Sequence, residues 1–487
     1  MKRFHDVIRR SPIPIRVLCF LSFLLVCLLV PGPKLEVLDS RTRLPAEGFT
    51  WVKPGVATLF EPFVGPAKHL HFSLYDIQAQ LLSLLEWMLL AALLFGLLSA
   101  LLSKRSWLGK LWLWVQCTTL IPFSFFLFLI YAMWFPLPAF KLVSPDQDVV
   151  LFDPQSHTIY SHDGLASPER SVVYHVSHGF DAWFITEHNH IKGVEPVKKL
   201  VKQQHPEKTI IAGEEVRNAS VGMDGSYLVV YGLSKPLDPG YFAHDAVRMI
   251  QHVKEEQHGA VGVCLCDLDP EKVNNLVKAG VDAFEVSNGG HMDEPPEAIQ
   301  ATIDACQQEG LCALSATDWH GWRRYTCIAW SAVRIPDWSS IQDQDERSRL
   351  LVNLIRERQS ERFVPLLLGR REPLNRTRYK FEPFFCLYAY FTGARPMDIL
   401  SWAIWGSLVL WGIPKLGRRS KGALLGLVYL FAGVFCWYRA ISWVLFDFSR
   451  VAGDNNILPG LSLNIALVGT VSLLVGVVFL MRASIRR

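Results

Sequence analysis

The chain has 487 residues, half of them hydrophobic, and a positive mean hydropathy of +0.21, high for a soluble protein of this length. Its formal net charge of +4 resides in loops and is too small to mark a nucleic-acid-binding surface. Long stretches carry almost no charge, which predicts a membrane protein with a soluble insert and excludes an ordinary soluble fold for the whole chain.

The basic stretch MKRFHDVIRR leads into a first apolar segment, Val17–Val30. A basic start and a short apolar run fit a signal peptide, but VPGPK follows where a small-x-small cleavage site belongs, so the segment reads as an uncleaved anchor. With Leu81–Leu102 and Leu111–Phe135 it makes an N-terminal membrane region of three transmembrane helices over residues 1–145. Ile399–Ile413, Leu424–Phe446 and Leu461–Met481 make a second region of three over 396–487. The first and fourth segments fall short of the roughly 20 residues that cross a bilayer. Lys and Arg cluster before the first segment, between the second and third, between the fourth and fifth, and in the tail. With six crossings these places share one side, the cytoplasm, together with both termini. The insert then faces the extracytoplasmic side, the periplasm for a bacterial inner membrane. Residues 336–395 read as a basic, then aromatic linker lying on anionic headgroups, so membrane lipids are expected partners.

Residues 146–335 have ordinary globular composition. Seven short apolar runs appear in order: DVVLFD, DAWFITE, TIIAGEEV, SYLVVYGL, AVGVCLC, DAFEVSN and CALSATD. Amphipathic stretches separate several of them, among them SPERSVVYHVSHG, GVEPVKKLVKQQHP, AHDAVRMIQHVKEEQHG and PEAIQATIDACQQEG. Such alternation predicts an α/β domain with a parallel sheet. Seven strands without a glycine-rich nucleotide loop fit a closed or nearly closed barrel better than a Rossmann sheet. The ten cysteines have no CxxC or regular spacing and predict no disulfide framework.

Polar residues fall where the apolar runs end. His157 and Asp163 follow the first run, Glu187 and His188 the second, Glu215 the third, Asp318 and His320 the last. In a β/α barrel these ends meet on one face. One such residue is readily explained as a helix cap or a satisfied buried group. So many at strand ends predict a converged metal or acid/base site.

The segments Asp153-Pro-Gln-Ser-His157-Thr with SHDG, then TEHN, GEE and TDWH, resemble the PHP (polymerase and histidinol phosphatase) superfamily over about residues 148–325. The resemblance implies a distorted seven-stranded β/α barrel, up to three metals and phosphoester hydrolysis. It places His157, Glu215 and Asp318 at one metal position and Asp163, His188 and His320 at another, with either His162 or Asp163 pointing inward. Imidazole nitrogen and carboxylate oxygen suit Zn, Mn or Fe.

This sequence also departs from the family pattern. Gln155 replaces the first His of H-x-H, a neutral and weaker donor. Glu187 replaces the usual Asp before His188 and is expected to act around the ligands. CLCDLDP stands where His-Pro is usual, leaving Cys266 or Asp267 as a substitute ligand, or Cys266 as plain core. One or two divalent metal ions are therefore expected. His190 and His291 are candidate proton donors, Arg323 and Arg324 candidate phosphate contacts, and Glu285 and Asn288 candidates for the pocket mouth. The resulting reading is a membrane-bound hydrolase of a phosphate ester. Its alternatives are a noncatalytic binding or sensing module, a transporter with an accessory domain, and a hydrolase of C–N or C–O esters. Substrate and oligomeric state are not legible.

Overall fold

All seven apolar runs of the insert become strands. The computed structural model describes residues 15–30, 35–70, 77–134, 137–138, 140–242, 244–291, 294–321, 327–369, 381–448, 455 and 457–485. In chain order the strands are β1 (Glu36–Asp39), β2 (Thr50–Val52), β3 (Lys141–Val143), β4 (Val149–Asp153), β5 (Ala182–His188), β6 (Thr209–Arg217) and β7 (Tyr227–Tyr231). They continue as β8 (Ala260–Val263), β9 (Ala283–Asn288), β10 (Cys312–Ala316), β11 (Ala329–Arg334) and β12 (Phe363–Gly369). The four amphipathic stretches form the helices Pro168–His178, Val194–Gln204, Ala246–Glu255 and Pro296–Glu309. A further helix, Pro270–Ala279, links β8 to β9. Ser167 and Asp269 cap the starts of two of these helices by accepting from the backbone N–H of Arg170 and Lys272.

The expected α/β domain forms, but its sheet differs from a closed or nearly closed seven-stranded barrel. One curled ten-stranded sheet, an open half-barrel, runs β1-β12-β11-β4-β5-β6-β7-β8-β9-β10. Neighbours within β4-β5-β6 and within β8-β9-β10 are parallel, but β7 is antiparallel to both β6 and β8. The link from β6 to β7 is a short turn rather than a crossover helix, so β7 must come back reversed. β11 is antiparallel to β4 and to β12, and β1 to β12. The segment read as an interfacial linker thus contributes β12, an inner strand buried along most of its length. Serine hydroxyls tie the curled ends together. Ser331 Oγ accepts from Ser315 N (2.8 Å) and donates to Ser315 O (2.9 Å), and Ser40 Oγ lies 3.0 Å from Ser287 Oγ and 2.9 Å from Ser315 Oγ.

Central strands are buried on both faces, which explains their nearly continuous apolar sequences. Phe152, Phe184 and Tyr231 pack inside the curl, while Leu151, Trp183 and Ile185 face the other layer. Each such side chain contributes roughly 1.5–3 kcal/mol by burial.

Among the described residues, five helices are long and apolar enough to cross a membrane; the stretches are Leu85–Leu102, Trp107–Phe128, Pro396–Lys415, Arg419–Leu445 and Ile457–Ile485, the first two within the helices Ile77–Leu102 and Trp107–Trp134. The first apolar segment forms the helix Ile15–Leu29, only 15 residues long. The helices do not pack as two sequence-local groups of three. Ile15–Leu29 lies against Pro396–Lys415, Ile77–Leu102 against Trp107–Trp134, and Arg418–Ser442 against Ile457–Ile485. Gly433 and Gly469 let the last pair approach closely: a Cβ on Gly469 would sit 3.0 Å from the carbonyl of Gly433. This pair packs directly beneath the loop after β4, where Ile159 and Leu165 join a cluster with Tyr429, Cys436, Trp443 and Leu458. Gly469→Leu is expected to force the pair apart and lower the melting temperature of the detergent-solubilised protein by several degrees, measured by intrinsic fluorescence.

Candidate metal centre

The backbone brings the first and last motifs together. His157 N donates to Trp319 O and Asp318 N to Gln155 O, both at 3.0 Å. Beneath them Asp153, fully buried, accepts from Thr317 N (2.9 Å) and from the Thr317 hydroxyl. His175 Nε2 lies 3.1 Å from Asp153 Oδ2, and its ring stacks on Trp183 at 4.7 Å. Asp318 sits at φ +46°, a left-handed conformation that Asp tolerates better than most residues. This turn aims its carboxylate back over His157.

Two sets of donors result. In the first, His157 Nε2 lies 3.0 Å from Glu215 Oε2 and 3.3 Å from Asp318 Oδ1, all three side chains being buried. In the second, Asp163 Oδ2 lies 3.4 Å from His188 Nε2 and 3.3 Å from His320 Nε2. The His157 ring stacks on His320 at 4.1 Å and on His188 at 4.7 Å, so the sets are continuous. Ser161 Oγ orients both imidazole loops, 3.0 Å from His157 Nδ1 and accepting from His188 N at 3.1 Å.

The charges are strongly coupled. Burial alone pushes the Asp163 carboxyl up, but hydrogen bonds from His188 and His320 outweigh it and hold it well below the usual carboxylate range. Burial likewise opposes ionisation of Asp318, and the His320 and His157 rings reverse it. Burial would lower His157, yet Asp318 and Glu215 hold it well above its ordinary value. The carboxylates therefore require positive charge beside them, from protons or from a cation.

A cation fits. Buried Nε2 of His157, Oδ1 of Asp163 and Oε1 of Gln155 have no well-directed hydrogen-bond partner, which is costly unless something else binds them. Among the described residues, His157–Glu215–Asp318, His157–His188–His320 and His162–Asp163–His188 each place ligating atoms within 4.8 Å of one another. So does a fourth group, Cys264–Cys266–His291.

The remaining predicted residues divide. Asp163 points inward and His162 lies at the mouth, its side chain 53% exposed. Gln155 donates from Nε2 to Glu215 Oε2 (2.9 Å) and Asp318 Oδ1 (3.1 Å); turning the amide over would present Oε1 as a ligand instead. Glu187 is fully buried and braces the loop by accepting from Thr158 N and the Thr158 hydroxyl. His190 is tied up rather than free: Nε2 lies 3.0 Å from Tyr160 O and Nδ1 accepts from Lys192 N. Glu285 and Asn288 are buried within the sheet rather than at the mouth. Cys266 is buried beside Cys264, and His291 reaches to 3.5 Å from Asp318 Oδ2. Arg323 and Arg324 lie outside the described residues.

Two contributors were not anticipated. His175, on the helix Pro168–His178, is the buried partner of Asp153. Asn455, far along the chain, has Nδ2 at 3.4, 3.0 and 2.6 Å from the carbonyls of Ile159, Ser161 and Gly164. Its Oδ1 accepts from Ile457 N (3.1 Å) and Leu458 N (2.9 Å), capping the last long helix. One amide thus joins that helix to the loop carrying Asp163.

The chain is similar to PHP-like metal-dependent phosphoesterases of known structure. One is a two-domain protein from Bacteroides vulgatus containing a predicted PHP-like phosphoesterase: 15% identity, 48% of this chain and 69% of that one covered, TM-score 0.33. Another is a candidate metal-dependent phosphoesterase from Bifidobacterium adolescentis: 14% identity, coverage 35% and 88%, TM-score 0.30. A third is an amidohydrolase from Chromobacterium violaceum with bound sulfate and no metal: 13% identity, coverage 35% and 87%, TM-score 0.29. No protein-family model and no curated protein matches the chain. Likeness of this strength carries no conclusion about activity, which has to come from the side chains.

Asn455→Ala leaves the loop carbonyls without their donor and is expected to weaken metal retention by roughly 10–100-fold, measured by competition with a chromogenic chelator. Gln155→His exchanges an amide donor for a ligand and is expected to tighten retention in the same assay.

Proposed function

We propose that this protein is a membrane-anchored, metal-dependent phosphoesterase whose centre faces the extracytoplasmic side. The observation that carries the reading is the meeting of buried His157, Glu215 and Asp318 from three separate strand ends, with His157 Nε2 3.0 and 3.3 Å from the two carboxylates. His157, Glu215 and Asp318 would hold one divalent ion and Asp163, His188 and His320 a second; Zn, Mn or Fe suits this donor set. Such ions, when bound, supply Lewis acidity to phosphoryl oxygens and lower the pKa of a water toward neutrality. The chain's own groups do the rest. Glu187, Ser161 and Asn455 keep the donors aligned, so little reorganisation accompanies binding. His162, exposed above Asp163, is placed to pass a proton between a leaving oxygen and solvent. Arg217, exposed two residues beyond Glu215 and 5.9 Å over the Tyr227 ring, adds positive charge to the approach.

The Lys and Arg pattern supports an extracytoplasmic insert. The packing of the last helix pair beneath the Asp163 loop supports a phosphate ester held at the membrane as substrate, with lipids as neighbours. One observation favours a second reading, a ligand-binding sensor. The Gln155 amide already donates to Glu215 and Asp318, relieving part of their need for a cation.

Purified protein is expected to contain one or two divalent metals and to hydrolyse a general phosphodiester or phosphomonoester. His188→Ala and Asp318→Asn should each lower turnover by at least about a hundredfold, as loss of a catalytic ligand does. Chelation should abolish the activity and added metal restore it. Metal without turnover on either ester would select the sensor. A reporter inserted in a surface loop of residues 146–335 should read as extracytoplasmic.

A further inference from the structure

We propose that Lys53 and Arg395 form a phosphate-binding cleft at the level of the lipid headgroups, built from segments outside the barrel motifs. The cleft shares no residue with the metal centre and does not depend on what that centre does.

Pieces far apart in sequence make the cleft. Lys53 follows β2, which pairs antiparallel with β3, and Trp51 on β2 packs edge-on against Phe140 at 4.7 Å. Glu61 opens the helix Glu61–Leu70, and Tyr390 lies on the helix Glu382–Gly393. Arg395 directly precedes the long apolar helix Pro396–Lys415, whose first turn holds Asp398. Lys53, Arg395, Trp51, Phe140 and Tyr390 stand in the walls between these pieces. The level in the membrane follows from the indoles. Trp402 and Trp405, near the start of that apolar helix, donate from Nε1 to the Tyr390 hydroxyl (2.7 Å) and to Leu59 O (2.9 Å). Tryptophans with engaged N–H groups at the end of an apolar span mark the headgroup layer.

The balance of donors and acceptors selects the sign of the ligand. Both carboxylates are engaged at both oxygens. Glu61 Oε1 accepts from the Tyr390 hydroxyl (2.8 Å) and Oε2 from Lys53 Nζ. Asp398 Oδ1 accepts from Lys53 Nζ (3.2 Å) and Arg395 Nη2 (3.3 Å), and Oδ2 from Arg395 Nε (3.0 Å). The cations are not used up. An ammonium has three protons, and Lys53 spends two on these carboxylates. The Arg395 fork spends Nε and Nη2 on Asp398 and on Thr58 Oγ1 (2.9 Å), leaving both N–H groups of Nη1 without an acceptor among the described residues. Its guanidinium lies over the Trp51 ring at 5.4 Å, which fixes the plane in which they point. The Lys53 side chain is 7% exposed and that of Arg395 35%, so the spare donors run from the buried end of the cleft to its mouth. Burial pushes the Glu61 carboxyl up, with Lys53 opposing, and this tips the cluster toward positive charge. Unspent donors on two neighbouring cations call for an anion with several oxygens, and a planar fork beside an ammonium suits a phosphate group.

The test uses the full-length protein in detergent, carrying Asp318→Asn so that the probe is not consumed at the metal centre and a second substitution reads the cleft alone. Dioctanoyl phosphatidate is expected to raise the melting temperature in a concentration-dependent way. Dioctanoylglycerol, which lacks only the phosphate, is expected to leave it unchanged. Ala394 lines the cleft in an extended conformation (φ −67°) and is partly exposed. Ala394→Phe therefore fills the cleft while keeping both ion pairs, and should raise the phosphatidate concentration needed by roughly tenfold or more. Arg395→Lys keeps the charge, loses the fork and should act in the same direction. A rise with sodium phosphate that both variants weaken supports the site with free phosphate as a sufficient ligand; a rise with phosphatidate alone supports it with a lipid headgroup. Equal rises with phosphatidate and dioctanoylglycerol, no rise with either phosphate probe, or a rise that both variants leave unchanged overturns the proposal. The phosphoesterase reading is judged separately, by ester hydrolysis in the protein with Asp318 intact.

Discussion

Two buried carboxylates at strand ends, Glu215 and Asp318, impose the constraint on which this structure depends. Water cannot stabilise them, and each points at the same imidazole nitrogen. The surrounding architecture sets polar groups around them: the His157 ring between them, His320 and His188 stacked around it, and the Gln155 amide, which donates to both. The Asp153–Thr317 pairing and the Asn455 bonds hold that arrangement in register. Without a cation the cluster is a store of unfavourable burial balanced by protons. With one, the same atoms become a ligand set.

Much of this was legible because strand periodicity and polarity change at the same places. Runs such as DAWFITE and TIIAGEEV end in His188 and Glu215, and apolar strands buried on both faces leave only their ends for chemistry. Direction was not legible at β7, since SYLVVYGL reads alike in either sense and only the short preceding connection reverses it. β12 escaped because FVPLLLG sits between basic stretches and contains a proline, which mimics an interfacial segment. β1 is four residues long, too short for any period to emerge. His175 and Asn455 act through contacts to residues distant in sequence, His175 to Asp153 and Asn455 to the Asp163 loop. Neither belongs to a local pattern that would single it out.

The departures from the expected motifs are embedded in contacts of their own. Gln155 is held by both carboxylates that its histidine counterpart would serve. Glu187 uses its extra methylene to reach the backbone and hydroxyl of Thr158. Cys264 and Cys266 are held by the turn they make themselves, and Asn288 Nδ2 lies 3.5 Å from Cys264 Sγ. Each altered residue keeps a defined partner in the fold.

The ten-stranded sheet draws β1 from before the first pair of long helices and β12 from beyond the barrel motifs, and the loop under Asp163 leans on Asn455. The globular portion is therefore not a cassette. Cutting it at the ends of its family-like region would strip away an edge, an inner strand and a buttress together. Folding of the ten-stranded sheet therefore has to wait for chain segments on both sides of the apolar helices Ile77–Leu102 and Trp107–Trp134, so a fault in placing those helices would also leave the sheet unfinished.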